Sequence, residues 1–242
     1  MSSKKAVIAL TSHSGPFFAD GKKTGVFSVE TLYPYHIYRD NGFEVDFVSI
    51  DGKFGWDDYS LASDFLSGKD LEEFNDKTSD FNVTLRNIKT PDQILKNIND
   101  YKIFYASAGH GCLYDYPTAT GLHEIASKIY ENNGVVAAVC HGPVIFEGIM
   151  DLKTGKKLVE GKSVTAFTDI GEKILKVDDI MKDKGFDTPE TALWKLGAKY
   201  LSPIGPFDDY SITDGRVVTG ANPASASSTA IRSVNALKVP GK

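Results

Sequence analysis

The chain has 242 residues, 41% of them hydrophobic and 24% charged, and a formal net charge of -5. That length supports one α/β domain with a sizeable core, and the composition is that of a globular protein. The acidic balance excludes the basic footprint of a nucleic-acid or anionic-membrane binder, and no stretch of about 18 apolar residues offers a membrane span. Two cysteines, Cys112 and Cys140, argue against a disulfide framework and for a reducing compartment, so a cytoplasmic location is expected.

Ala6 to Leu10 is an apolar run too short for a signal-peptide core and reads as the first strand. Val26 to Asp40 carries helical apolar spacing and stops at Asn41-Gly42, and Phe43 to Ile50 reads as a second strand, giving a βαβ unit. From Asp51 to Asp100 the alternation lapses into a segment rich in Asp, Lys, Asn and aromatics, including Phe54-Gly55-Trp56-Asp57-Asp58-Tyr59. It is expected to be an inserted cap or interface segment within a single domain spanning residues 1–242. Tyr101 to Ser107 is a third strand and runs into Gly109-His110-Gly111, after which Leu122 to Tyr130 reads as a helix.

Val135 to Val139 contains no polar residue and no alternation, which fits a strand buried on both faces of a parallel sheet. It ends abruptly in Cys140-His141-Gly142-Pro143, where glycine and proline supply a tight turn and a helix start, so Val144 to Met150 is expected to be a short helix. Ser163 to Phe167 reads as another strand, Ser211 to Thr219 as a hairpin turning at Asp214-Gly215, and Ala224 to Leu237 as a closing helix. The order predicts a doubly wound, mostly parallel α/β sheet of the flavodoxin-like sandwich type, with a small inserted cap region.

Cys140 therefore sits where a central strand hands over to a helix start, at the end of the sheet where ligands bind. Unpaired N–H groups at a helix N-terminus favour an anion, which would lower the thiol pKa toward neutrality. The layout is that of a nucleophile elbow with Cys in place of Ser, and His141 is the nearest candidate base. His36 and His123 fall within helical patterns and read as surface or partly buried residues. No pair of residues has metal-ligand spacing, so no metal and no cofactor are expected. The small residues of Ser107-Ala108-Gly109-His110-Gly111 suit a loop whose backbone approaches a bound oxygen. Glu30 stands among Val26, Phe27, Val29 and Leu32. Buried there, it would stay protonated and donate to a thiolate, whereas exposed it would be an ordinary helix residue.

These motifs in this order resemble the ThiJ/PfpI superfamily, within the class I glutamine amidotransferase-like fold. The resemblance rests on Lys23-Thr24-Gly25-Val26 with Glu30-Thr31-Leu32-Tyr33-Pro34 and on Gly42 to Ser49. It continues through Ala106 to Gly111 with Asp115-Tyr116-Pro117, Ala138 to Pro143, Phe207-Asp208-Asp209-Tyr210 and Thr219 to Pro223. The entry motif, the aromatic Lys53-Phe54-Gly55-Trp56 insertion and the length are similar to the fungal glutathione-independent glyoxalases, a group also described as heat-shock chaperones. The resemblance implies Cys140 as nucleophile, His141 as base, Glu172 as triad acid with Asp169 as a rival, and Glu30 as the acid beside the cysteine. Gly109, His110 and the His141 N–H are expected to hold the substrate oxygen.

The implied reaction is conversion of the 2-oxoaldehyde methylglyoxal to D-lactate through a cysteine hemithioacetal and an enediol. A stress-related holding chaperone or redox sensor is the second reading, and a peptidase or amidase the third. A homodimer is expected, with no nucleic-acid or membrane partner. Cys112 reads as a passive loop residue.

Overall fold

The computed structural model describes residues 4–238. Six strands form the central sheet: β1 (Lys5–Ala9), β2 (Glu44–Val48), β3 (Tyr101–Ala106), β4 (Val135–Val139), β5 (Ser211–Asp214) and β6 (Val217–Gly220). Their spatial order is β5-β6-β4-β3-β1-β2. Every neighbouring pair is parallel except the β5–β6 hairpin. The innermost strands are dry: Ala6 to Ala9 and Val135 to Val139 expose no surface, as their unbroken apolar runs require of strands covered on both faces.

The order reverses between β1 and β3, since the chain winds outward to β2 in one direction and to β4 in the other. Right-handed crossovers therefore place α1 (Val29–Asp40) and α2 (Thr120–Glu131) on opposite faces. α4 (Ala226–Ala236) joins the α1 face, where the Tyr38 and Ser233 hydroxyls hydrogen-bond at 2.8 Å. The reversal leaves a crevice at the carboxyl ends of β1, β3 and β4, and the loops that follow these strands carry the site.

Residues 51–100 contribute no strand to the central sheet. The segment is nonetheless anchored. Phe81 is fully buried against Tyr35 and Phe47, and Val26 pairs through its backbone with Gly55 and Asp57 at 2.8 and 2.9 Å. That pairing holds residues 26–28 out of the helix, which begins at Val29 rather than Val26.

Three other expectations are corrected. The segment after Cys140 is a 3-10 turn over Gly142–Glu147, followed by a strand at Met150–Asp151. Only Ser163–Val164 of the stretch 163–167 is strand, paired with Lys199–Tyr200 outside the main sheet. The next N–H groups go elsewhere, Thr165 to Thr219 Oγ1 and Phe167 to the Cys140 carbonyl. The hairpin turns through Gly215-Arg216, because Asp214 pairs with Val217; Gly215 supplies the positive φ of +61° that such a turn needs.

Candidate active site

Cys140 caps β4 with φ at +59°, a left-handed conformation that strains a residue bearing a Cβ. The neighbouring backbone holds it there. Its N–H donates to the Gly220 carbonyl and its own carbonyl accepts from Phe167 N–H, each at 2.9 Å. The kink is closed by Gly142, where a Cβ would come within 2.7 Å of the Ala106 carbonyl oxygen. The sulfur and the adjacent imidazole are thereby turned to the same side, with Cys140 Sγ 3.3 Å from His141 Nδ1.

On the far side of the ring, His141 Nε2 lies 2.6 Å from Glu172 Oε1. Glu172 belongs to the helix α3 (Asp169–Leu175), whose N-cap is Thr168, its hydroxyl accepting the Gly171 N–H at 2.9 Å. Asp169 only opens this helix. Its N–H donates to Glu190, and it makes no hydrogen bond with His141 among the described residues. A carboxylate on Nε2 keeps the proton at that nitrogen, so Nδ1 presents its lone pair to the thiol. Glu172 also accepts from a second imidazole: its Oε2 is 3.1 Å from His110 Nε2. Burial alone would raise the Glu172 pKa, but the two rings beside it outweigh burial and hold it well below the usual carboxylate range. Burial, followed by the neighbouring His110, pushes His141 down, which leaves it neutral and able to accept a proton.

Glu30 approaches from the start of α1. It exposes no surface, so the reading as an ordinary helix-surface residue is overturned. Its Oε2 accepts the Ala108 N–H at 3.0 Å, and its carboxyl interacts with the Cys140 thiol. Oε1 has no conventional partner. Burial lifts the Glu30 pKa to about 8, so the acid is protonated at neutral pH and can donate to sulfur. The thiol itself departs from expectation. Burial, and then the proximity of Glu30, push its pKa up, and the short 3-10 turn behind it supplies no α-helical N-terminus to counter this. Both causes favour a resting thiol over the thiolate expected from the sequence.

A cavity of about 600 Å³ opens over these groups. It is lined by Cys140, His141, His110 and Gly109 together with largely apolar side chains, Phe18, Phe27, Tyr59, Phe65, Phe167, Ile174 and Phe207 among them. The backbone N–H groups of Gly109 and His141 have no acceptor among the described residues. Gly109 adopts φ +116°, and a Cβ there would meet the Gly25 carbonyl oxygen at 2.2 Å, so only glycine fits. Asp57, also in the lining, was not singled out from sequence. It is buried and held by Thr24 Oγ1 at 2.9 Å and by the Tyr59 and Ser60 N–H groups. Its place in the aromatic insertion was the available signal. His36 pairs with Glu73 and His123 with the Tyr116 carbonyl, both away from the cavity wall. Cys112 is fully buried and does not line the cavity.

Residues 22–235 match the DJ-1/PfpI family. The chain belongs to that family. This DJ-1/PfpI chain is 62% identical to the glutathione-independent glyoxalase HSP31 of Saccharomyces cerevisiae, over 98% of its own length and all of the relative's. It is 38% identical to the glutathione-independent glyoxalase hsp3101 of Schizosaccharomyces pombe over 93% of both chains. Its fold superposes on the crystal structure of glyoxalase III from Candida albicans with a TM-score of 0.93, at 51% identity, covering 96% of this chain and 97% of the other. The expected likeness to the fungal glyoxalase group and to a mostly parallel α/β sheet is what these comparisons find.

Proposed function

We propose that this DJ-1/PfpI protein is a glutathione-independent glyoxalase converting methylglyoxal to D-lactate. The observation that carries the reading is a single thiol bracketed by a neutral imidazole base at 3.3 Å and a protonated buried acid, in the lining of a cavity. The relatives' names point to the same chemistry.

The steps follow from those positions. Cys140 Sγ adds to the aldehyde carbon as its proton passes to His141 Nδ1, giving a hemithioacetal whose oxygen faces the free N–H groups of Gly109 and His141. A base then removes the C1 proton to form an enediol, and proton return at C2 leaves a thioester, so oxidation at C1 balances reduction at C2 within the substrate. Water hydrolyses the thioester, releasing lactate and restoring the thiol. Glu172 keeps the imidazole in the tautomer that accepts from sulfur, and Glu30 stabilises the thiolate when sulfur is the leaving group. His110, whose Nε2–H is given to Glu172, lines the cavity where the substrate would sit. We assign residues 51–100 the role of a cap, because Tyr59 and Phe65 line the cavity.

A steady-state assay for D-lactate from methylglyoxal without glutathione tests the proposal. The parent chain turns over and Cys140→Ala does not; equal rates in the two would refute it.

A second reading is favoured by exposed apolar residues on α3, of which Ile174 also lines the cavity. Ile170 and Ile174 of α3 are 63% and 56% exposed. Such a surface suits holding of unfolded chains or pairing of two copies in a homodimer. A holding activity survives Cys140→Ala in a light-scattering aggregation assay, and sedimentation measures the oligomer. The two free cysteines suit the cytoplasm, which a fluorescent fusion would test.

A further inference from the structure

His110, His141 and Glu172 are separated by 31 and 62 positions along the chain, so no local spacing betrays them as a group. In the fold each offers one metal-ligating atom, and these atoms lie within 4.8 Å of one another. The donor set, two imidazole nitrogens and a carboxylate oxygen, is that of a three-ligand zinc site with an open fourth position. Zinc holds such atoms about 2.0–2.2 Å from itself, so the three need only draw closer together to share one ion. His110 and His141 also line the cavity, which gives an ion an entry path and a place for the fourth ligand.

We propose that this cluster binds a divalent cation of the zinc type, through Nε2 of His110, Nε2 of His141 and the Glu172 carboxylate, and that the bound ion reversibly switches the thiol chemistry off. The sign of the effect follows from proton bookkeeping. A neutral imidazole carries one proton. With Glu172 on Nε2, that proton is at Nε2 and the Nδ1 lone pair faces Cys140 Sγ. A cation on Nε2 moves the proton to Nδ1, with no net release from the ring. Nδ1 then donates toward sulfur and cannot accept from it. The thiol is left unmodified and outside the ligand set, because the width of the imidazole ring separates it from Nε2. Binding stands on the cluster alone, whereas the switch rests on the proposed role of His141 as base.

The test uses the full chain, stripped with a chelator and titrated with zinc against a colorimetric indicator, with cobalt(II) as a spectroscopic substitute. One cation per chain is expected, with d–d bands but no thiolate-to-cobalt charge transfer. Cys140→Ser retains the affinity. His110→Ala and Glu172→Gln weaken it by on the order of a hundredfold or more, since the loss of a ligand exceeds the 10–100-fold effect of losing an outer partner. Because a variant can fail to fold, nitrogen-15 imidazole spectra of the parent chain give a second readout. His141 changes from the Nε2–H to the Nδ1–H form on loading.

The absence of stoichiometric binding, a thiolate charge-transfer band, loss of binding in Cys140→Ser, equal affinity in the folded His110 and Glu172 variants, or an unchanged His141 tautomer would each overturn the site. Methylglyoxal turnover falls in proportion to occupancy and returns with chelator; full turnover at full occupancy overturns the switch. A chain inactive even in chelator would instead count against the glyoxalase reading, leaving the binding results to stand by themselves.

Discussion

Glu30 is the residue whose titration is most exposed to measurement. Burial lifts its carboxyl from an ordinary 4.5 to about 8. Between those values the folded chain holds a proton that the unfolded chain has released, so Glu30 costs stability progressively as pH rises through that window. Glu30→Gln keeps an acceptor for the Ala108 N–H and a donor toward sulfur, yet cannot ionise. Its melting temperature relative to the parent should therefore climb from pH 5 to pH 8, as scanning fluorimetry would show; a constant gap would refute the raised pKa. Because the amide holds no proton that it can transfer to the sulfur, its kcat should be lower by roughly a hundredfold and should lose the parent's decline above pH 8. Glu172 and Asp169 provide a contrast three residues apart. Glu172→Gln removes the carboxylate that orients the imidazole and should lower kcat by about a thousandfold or more. Asp169→Asn should stay within about twofold, as changes away from such features do. Equal losses in kcat would mean that Glu172 does not orient His141. Cys140 and His141 were legible in the sequence because an apolar run ending in Cys-His-Gly-Pro leaves few other readings. The depth of Glu30 was not legible, since the burial of one helix face depends on Ala108 and Cys140, distant in the chain. Nor was the sharing of Glu172 between two rings.

At the scale of elements, the site depends on loops whose backbones touch. Gly109 rests on the Gly25 carbonyl, with 2.2 Å available to any added Cβ. Gly109→Ala should cost roughly 3 kcal/mol or more and lower turnover, because either the β3 loop or the segment before α1 must retreat. Gly21 also has a positive φ, +83°, but nothing within 4 Å. Gly21→Ala should therefore cost only the conformational strain, about 1–2 kcal/mol. Chemical denaturation of both variants checks the ranking, and similar costs would show that the loop contact is slack. The long strands and helices could be read from sequence because their burial pattern is local. The shorter ones could not. Residues 163–167 have the composition of a strand, but their N–H groups find Thr219 and Cys140 instead of a sheet neighbour. Likewise, the proline after Cys140 signals a helix start, whereas the chain there completes only 3-10 turns.

Across the whole molecule, the two thiols report on different openings. Cys140 is 3% exposed and faces the cavity, whereas Cys112 is fully buried beneath the same loops. Alkylation of the native chain should modify Cys140 first, and Cys112 only at the rate of larger opening, with mild denaturant accelerating the second alone. Equal rates at neutral pH would contradict this burial. The left-handed kink at Cys140 has a further consequence. Glycine would adopt that backbone freely, so Cys140→Gly sheds about 1 kcal/mol of strain while deleting the sulfur. Selection for thermal endurance and selection for aldehyde tolerance would thus pull position 140 in opposite directions. If Cys140 is the nucleophile we propose, a library screened only for robustness would accumulate variants that have lost it.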